Sequence, residues 1–127
     1  MSSAVLGDIS QIAIVIKDLS RATAFYRDVL GLPFLFEAPG LSFFQAGGVR
    51  LMLSRAEDPE FDHPSSILYF DVADILEAHR TLAGRGVRFR QPPHPVHLAG
   101  DRSLWIADFE DSEQNIFALM AWRPNPA

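Results

Sequence analysis

The first part of the chain alternates apolar and polar residues as a half-buried strand does. Within residues 9–16, isoleucine occupies every second position from Ile12 to Ile16, so one face of the predicted strand is wholly apolar. Apolar residues then recur at helical spacing, which predicts a helix that begins after Asp18 as its N-cap and ends at Gly31. We expect the isoleucine face of the strand to pack against this helix.

Three short strands are predicted to follow the helix, because runs of strand-forming residues are separated by glycine-containing turns. Their predicted bounds are 34–37, 41–46 and 49–54. Residues 55–66 are polar and contain two prolines, so they are predicted to form a linker.

The second half of the chain repeats the first, so that Asp18 matches Asp74 and Ala13 matches Tyr69. The repeat predicts a strand, a helix and three more strands, at 67–72, 74–83, 87–90, 104–109 and 115–121. The proline-containing segment 91–102 is predicted to be an exposed loop. The order βαβββ, given twice, predicts an α+β fold with eight strands.

The composition excludes several classes of function. The chain has 127 residues, the length of a single domain, with modules at about 8–54 and 67–122 joined by the linker. A net charge of −5 without a basic run argues against a nucleic-acid partner, and the absence of cysteine excludes thiolate metal sites. The sequence suggests no signal peptide and no membrane span, so we predict a cytoplasmic location and no membrane partner.

The four histidines do not form a recognisable metal motif. His94 and His97 are three residues apart, but the prolines around them exclude a helix that would place both on one face. His63 and His79 are predicted to lie at the surface. No serine has the histidine and aspartate context of a catalytic triad, and no glycine-rich phosphate loop is present.

Three segments carry a resemblance to a known family. They are the strand-to-helix segment 11–19, the segment 24–31 with its Phe-Tyr-Arg-Asp-Val-Leu-Gly run, and the hairpin 111–119, an altered form of an Asp-Pro-x-Gly-Asn pattern. The chain thereby resembles the vicinal oxygen chelate superfamily of glyoxalases, bleomycin-resistance proteins and dioxygenases. The resemblance implies two tandem βαβββ modules that curl into an open eight-stranded cup, usually completed in a homodimer.

The resemblance also implies four ligand positions for a divalent metal. This chain fills them with Gln11, Leu51, Ile67 and Ala118. Only the glutamine offers a donor atom, and a single donor does not hold a catalytic metal. We therefore predict no metal and no other cofactor, and the sequence assigns no catalytic residue.

A cup with an apolar, aromatic lining suits a planar or hydrophobic ligand held by a few polar anchors. Strand alternation places Tyr69 and Asp71 on the cup side, but it leaves open which face Phe43, Phe44 and Trp105 present. The alternative for each single aromatic residue is ordinary core packing. The predicted ligand-binding residues are Gln11, Tyr69, Asp71, Phe44, Trp105, Ala118 and Met120.

Three functions are compatible with this pattern. The leading prediction is a dimeric, metal-independent binding protein of the bleomycin-resistance type, for a small aromatic or cationic molecule. The alternative is an enzyme of the same superfamily, either a metal-dependent lyase or isomerase or a ring-cleaving dioxygenase. A third hypothesis is a scaffold or regulatory homodimer whose cup no longer binds a ligand.

Overall fold

The computed structural model describes residues 5–56, 60 and 62–125. Within these residues the chain forms two sheets and two α-helices in an α+β arrangement, without a closed barrel. The helix α1 continues directly into a π-helical turn, Phe25–Val29. The elements are β1 (Gln11–Val15), α1 (Leu19–Ala24), β2 (Phe34–Ala38), β3 (Leu41–Ala46), β4 (Val49–Ser54), β5 (Tyr69–Asp71), α2 (Ile75–Gly84), β6 (Arg88–Phe89), β7 (His94–Ala99), β8 (Arg102–Glu110) and β9 (Ile116–Pro124).

The two sheets follow one plan. The first sheet has the strand order β1-β4-β3-β2, and the second has the order β5-β9-β8-β6, with β7 also paired with β8. In each sheet the first strand of the half lies parallel to its last strand, as β1 does to β4 and β5 to β9. The α+β fold built from two similar halves is therefore confirmed.

Both α-helices begin where the sequence predicts. The side chain of Asp18 accepts a hydrogen bond from the Arg21 backbone N–H at 3.0 Å, and Asp74 accepts one from the Glu77 N–H at 3.1 Å. These bonds satisfy backbone donors that have no partner within the helix. Gly31 has a φ of 74°, the left-handed conformation in which a glycine commonly ends a helix.

The prediction of an exposed loop over 91–102 is wrong, because His94–Ala99 forms β7, paired antiparallel with β8. The prolines around this segment do not prevent a strand. This strand lies at the edge of its sheet, where a missing N–H is tolerated, and its register shifts between Pro95 and His97. The described residues therefore form nine strands rather than the predicted eight.

One hydrophobic core serves both halves. It lies on the helix side of the sheets, by which we mean the face that packs against α1 and α2. The buried ring of Tyr26 lies 5.7 Å from Phe44 of the first sheet and 6.4 Å from Phe117 of the second, measured between ring centroids. Because a residue next to α1 contacts both sheets, neither half has a separate core.

The turn between β8 and β9 binds the start of α1. Glu113 Oε1 accepts the backbone N–H groups of Lys17 and Asp18, both at 2.9 Å, and Oε2 accepts Arg21 Nε at 2.7 Å. The Glu113 side chain is fully enclosed. Burial alone would raise the pKa of this carboxyl, but the bonds outweigh burial and lower its pKa from 4.5 to about 2.

Asp111 also connects the two halves, and we call the bonds of Glu113 and Asp111 together the joint. Its Oδ2 accepts the Tyr26 hydroxyl at 2.6 Å and Asn115 Nδ2 at 2.8 Å, and the same amide nitrogen donates to the Val15 carbonyl at 3.0 Å. Burial, aided by the charge of Asp111, raises the pKa of the Tyr26 hydroxyl well above its ordinary value, so the hydroxyl remains a donor. The turn that carries part of the family resemblance thus has a structural role.

Of the predicted linker at 55–66, positions 57–59 and 61 lie outside the described residues. None of the helices in the described part of the chain is long and apolar enough to cross a membrane.

Candidate functional site

Each sheet has a second face, opposite to the helix side. Residues paired directly across neighbouring strands point to the same face, so the strand registers define its members. We call the set Gln11, Ala13, Phe36, Phe43, Arg50 and Met52 of the first sheet face 1. We call the set Tyr69, Asp71, Asp108, Ala118 and Met120 of the second sheet face 2.

Face 1 is built around one arginine. The Phe36 and Phe43 rings are stacked, with centroids 4.4 Å apart and planes at 22°. Arg50 Cζ lies 5.1 Å from the Phe43 centroid and 6.0 Å from the Phe36 centroid, within cation–π range. Arg50 Nε also donates to Gln11 Oε1 at 2.9 Å, and Gln11 Nε2 donates to Met52 Sδ at 3.7 Å. The guanidinium is therefore held in place from two sides.

Face 2 has a different chemistry. Tyr69 on β5 and Asp108 on β8 flank Ala118 of β9, because each is paired directly with it. Ala118 is buried, whereas the Tyr69 side chain is 54% exposed. Asp71 is exposed and paired with Met120, one position further along the same face. An exposed aromatic ring and two carboxylates thus share this face of the second sheet.

The structure corrects the predicted site at two positions. Phe44 is buried against Tyr26 on the helix side, and it is the adjacent Phe43 that belongs to face 1. Trp105 is paired with Ala121 of the core, so it also lies on the helix side. Because consecutive residues of a strand point to opposite faces, an error of one position moves a side chain from the site to the core. The remaining predicted residues are Gln11, Tyr69, Asp71, Ala118 and Met120, all on face 1 or face 2.

Gln11 and Tyr69 belong to different sheets, although the sequence predicts that they face one ligand together. The hydrogen-bonding partners of the Gln11 side chain are Arg50 and Met52, its neighbours within the first sheet. Gln11 therefore belongs to face 1 and Tyr69 to face 2.

The structure also corrects one of the positions compared with metal ligands. Tyr69 pairs with Ala118, and its repeat mate Ala13 pairs with Met52, so Met52 is the counterpart of Ala118. Leu51, which the sequence placed there, is 1% exposed on the helix side. On face 1, Gln11 Oε1 already accepts a guanidinium N–H, and that positive charge would repel a metal ion. The residues of face 1 therefore do not fit a divalent metal.

The histidines do not supply an alternative metal centre. His94 Nδ1 lies 2.9 Å from the Pro92 carbonyl oxygen, and the His97 ring lies 6.3 Å from the Trp122 ring. Over 5–56, 60 and 62–125, no three histidine, aspartate or glutamate residues are grouped so that they could hold a metal ion.

A polar cleft of about 670 Å³ lies where the two halves meet. Several of its lining groups already bind one another, since Ser65 Oγ accepts the Val15 N–H at 3.1 Å and Lys17 Nζ donates to Gln114 Oε1 at 3.2 Å. Glu113 also lines the cleft, but its Oε1 already accepts the Asp18 N–H at the start of α1. The bonds of Lys17 and Glu113 thus connect the two halves at this cleft.

The predicted binding residues leave out six members of these faces, namely Ala13, Phe36, Phe43, Arg50, Met52 and Asp108. The signal for Arg50 was present in the alternation of β4, in which Leu51 and Leu53 are core residues and Arg50 and Met52 are not. The pairing of Arg50 with Gln11 depends on the parallel register of two distant strands, which no local pattern encodes.

Two halves of this kind, each a strand, a helix and a small sheet, define a recognisable class of α+β protein. The model of the Glyoxalase/Bleomycin resistance protein/Dioxygenase superfamily matches residues 8–119. The chain belongs to this superfamily, and the resemblance seen in the sequence is confirmed.

Known relatives support the fold more than they define a function. "Uncharacterized protein YraH" of Bacillus subtilis strain 168 is 26% identical over 126 aligned residues, which cover 86% of this chain and 94% of the relative. A superfamily member from Sphaerobacter thermophilus DSM 20745 has a TM-score of 0.77 at 22% identity, covering 92% of this chain and 98% of that chain. TnmS3, an antibiotic binding protein from Streptomyces sp. CB03234, has a TM-score of 0.73 at 19% identity, covering 98% of this chain and 100% of that chain. At these identities the two solved structures show the fold alone.

Proposed function

We propose that the protein binds a small aromatic molecule on face 2, without a metal and without chemical change. The observation that carries the proposal is the half-exposed Tyr69 ring, which shares face 2 with the carboxylates of Asp71 and Asp108. An aromatic side chain exposed on a sheet provides a platform for stacking, and its hydroxyl provides a directional hydrogen bond. The two carboxylates favour a ligand that carries a positive charge.

Two further observations support binding rather than catalysis. The donor set on face 1 does not fit the divalent ion that lyases and dioxygenases of this superfamily would need, since Gln11 is bound to Arg50. The antibiotic binding protein TnmS3 has the same fold, so this architecture is compatible with capture of an organic molecule.

We further propose that the protein is a homodimer and that it acts in the cytoplasm. The dimer is supported by the exposed apolar side chains of one edge strand in each sheet. β2 exposes Leu35, and β7 exposes Val96 and Leu98, and an edge strand has unpaired backbone groups that can pair with another chain. Light scattering is expected to give twice the 14.1 kDa of one chain, and a monomer at micromolar concentration would contradict this part of the proposal.

The binding proposal is tested with 2-naphthylmethylammonium, an aromatic cation, by isothermal titration calorimetry. Tyr69→Ala is expected to weaken binding by about 1–3 kcal/mol, because it removes an aromatic contact and a hydroxyl. Tyr69→Phe isolates the hydroxyl and is expected to cost about 1 kcal/mol.

Leu76→Ala is the matched control, since Leu76 is an exposed apolar residue on α2. It is expected to bind the probe as the wild type does. Failure of the wild type to bind the cation at millimolar concentration, or equal binding by the wild type and Tyr69→Ala, would contradict the proposal.

A further inference from the structure

We propose that face 1 is a second binding site, specific for a small organic carboxylate that is recognised by Arg50. No part of this inference depends on ligand binding to face 2. It follows from how the guanidinium is held, which of its donors remain available, and what surrounds it.

The guanidinium is positioned before any ligand arrives. The stacked Phe36 and Phe43 rings support it from one side at 6.0 and 5.1 Å, and the bond from Nε to Gln11 Oε1 fixes its rotation. Gln11 is itself restrained by Met52 Sδ. A long side chain that is already ordered loses less conformational entropy when it binds a ligand.

The held guanidinium has no acidic partner within the described part of the chain. The ion pairs found there involve Arg21, Arg27 and Arg80, each with a carboxylate. Since Nε is bound to Gln11, the two terminal nitrogens of Arg50 remain, and they match the two oxygens of a carboxylate.

The surroundings of Arg50 select for an anion with an apolar body. Ala13 and Met52, paired side by side on face 1, provide apolar surface next to the guanidinium, and Phe43 below it is 7% exposed. An inorganic anion would leave this surface in water, whereas an aromatic or branched carboxylate would cover it. The chemical class is therefore a carboxylate on a hydrocarbon framework.

The test uses three probes of nearly equal shape and different charge, namely 2-naphthoate, neutral 2-naphthamide and 2-naphthylmethylammonium. Calorimetry is expected to show that Arg50→Met weakens 2-naphthoate binding by about tenfold or more. Arg50→Lys keeps the charge but loses the planar pair of donors, so it is expected to weaken binding by about threefold. Neither variant is expected to weaken binding of the cation.

Arg123→Met is the matched control. Arg123 also stacks on an aromatic ring, with Cζ 4.6 Å from the Trp105 centroid, but it belongs to the helix side of the second sheet. This variant loses the same charge and the same kind of contact, and it is expected to bind 2-naphthoate within about twofold of the wild type. Urea unfolding of all variants establishes that they are folded.

Several results would overturn the inference. They are failure of the wild type to bind 2-naphthoate, equal losses in Arg50→Met and Arg123→Met, and tighter binding of 2-naphthamide than of 2-naphthoate. Tyr69→Ala distinguishes this inference from the function proposed for face 2, because that variant should lose the cation and retain 2-naphthoate. Loss of 2-naphthoate in Tyr69→Ala, with wild-type binding in Arg50→Met, would assign the carboxylate to face 2 instead.

Discussion

The two sides of the sheets differ in how similar the two halves are. The helix side is similar in both halves, whereas the open side, which carries faces 1 and 2, is not. On the helix side both halves use the same devices, such as the N-caps Asp18 and Asp74, and both contribute to one core. On the open side the halves have diverged, since face 1 presents the cation Arg50 where face 2 presents Tyr69 and two carboxylates. The two halves therefore keep the same packing surface on the helix side, while their opposite surfaces carry different side chains.

The largest expected effect is on the shared core. Phe117→Ala removes a fully buried ring that lies near Tyr26, Phe70 and Phe109, and is expected to reduce the free energy of unfolding by about 4 kcal/mol. Phe36→Ala removes the same ring from face 1, where it is 44% exposed, and is expected to cost about 1 kcal/mol. Urea unfolding measures both values, and equal costs would remove the distinction between the two sides.

A smaller effect concerns the joint formed by Glu113. Its pKa in the folded protein is about 2, below the ordinary 4.5, so its ionised form stabilises the fold above pH 4.5. This contribution is lost as the pH falls from about 4.5 towards 2, and we expect a loss of about 2 kcal/mol in the free energy of unfolding.

The Glu113→Gln variant should lack this part of the pH dependence and be less stable at neutral pH. Ser112→Ala removes only one bond to the carboxylate, at 2.9 Å, and should keep most of the dependence. Denaturant unfolding between pH 2 and 7 measures the profiles; parallel curves for the wild type and Glu113→Gln would show that the joint does not depend on this charge.

The smallest expected effect is a gain in stability at Gln114. This residue has a φ of 69° in the β8–β9 turn, a conformation that is costly for a side chain and that glycine adopts freely. Gln114→Gly is expected to stabilise the fold by about 0.5 kcal/mol, after loss of the exposed bond from Lys17 Nζ. Gln91→Gly, at an exposed position without a positive φ, is the control and should destabilise slightly. A loss of melting temperature in both variants would contradict the prediction.

The sequence predicted what depends on neighbours along the chain. The bounds of β3 and β4 are those expected from the turns at Gly40 and Gly47, and both capping aspartates were found from helical spacing. It did not predict what depends on strand pairing. The edge position that accommodates the prolines of β7 is a property of the whole sheet.

The candidate site was predicted less well than the fold for the same reason. Alternation alone could not say which of Phe43 and Phe44 faces the core, because both are aromatic and adjacent. The partner of Gln11 emerged only from the parallel register of β1 and β4. Five predicted residues lie on the open faces because the flanking core residues of their strands were unambiguous, and these five are Gln11, Tyr69, Asp71, Ala118 and Met120.

We propose that faces 1 and 2 bind ligands of opposite charge, and nuclear magnetic resonance can detect this difference residue by residue. In ¹⁵N-labelled protein, 2-naphthoate is expected to shift the side-chain N–H signals of Arg50 and Gln11 and to leave the Tyr69 and Asp71 amides in place. Titration with 2-naphthylmethylammonium is expected to give the reverse pattern. Shifts of one common set of residues by both probes, or shifts confined to the cleft around Lys17 and Ser65, would contradict the claim.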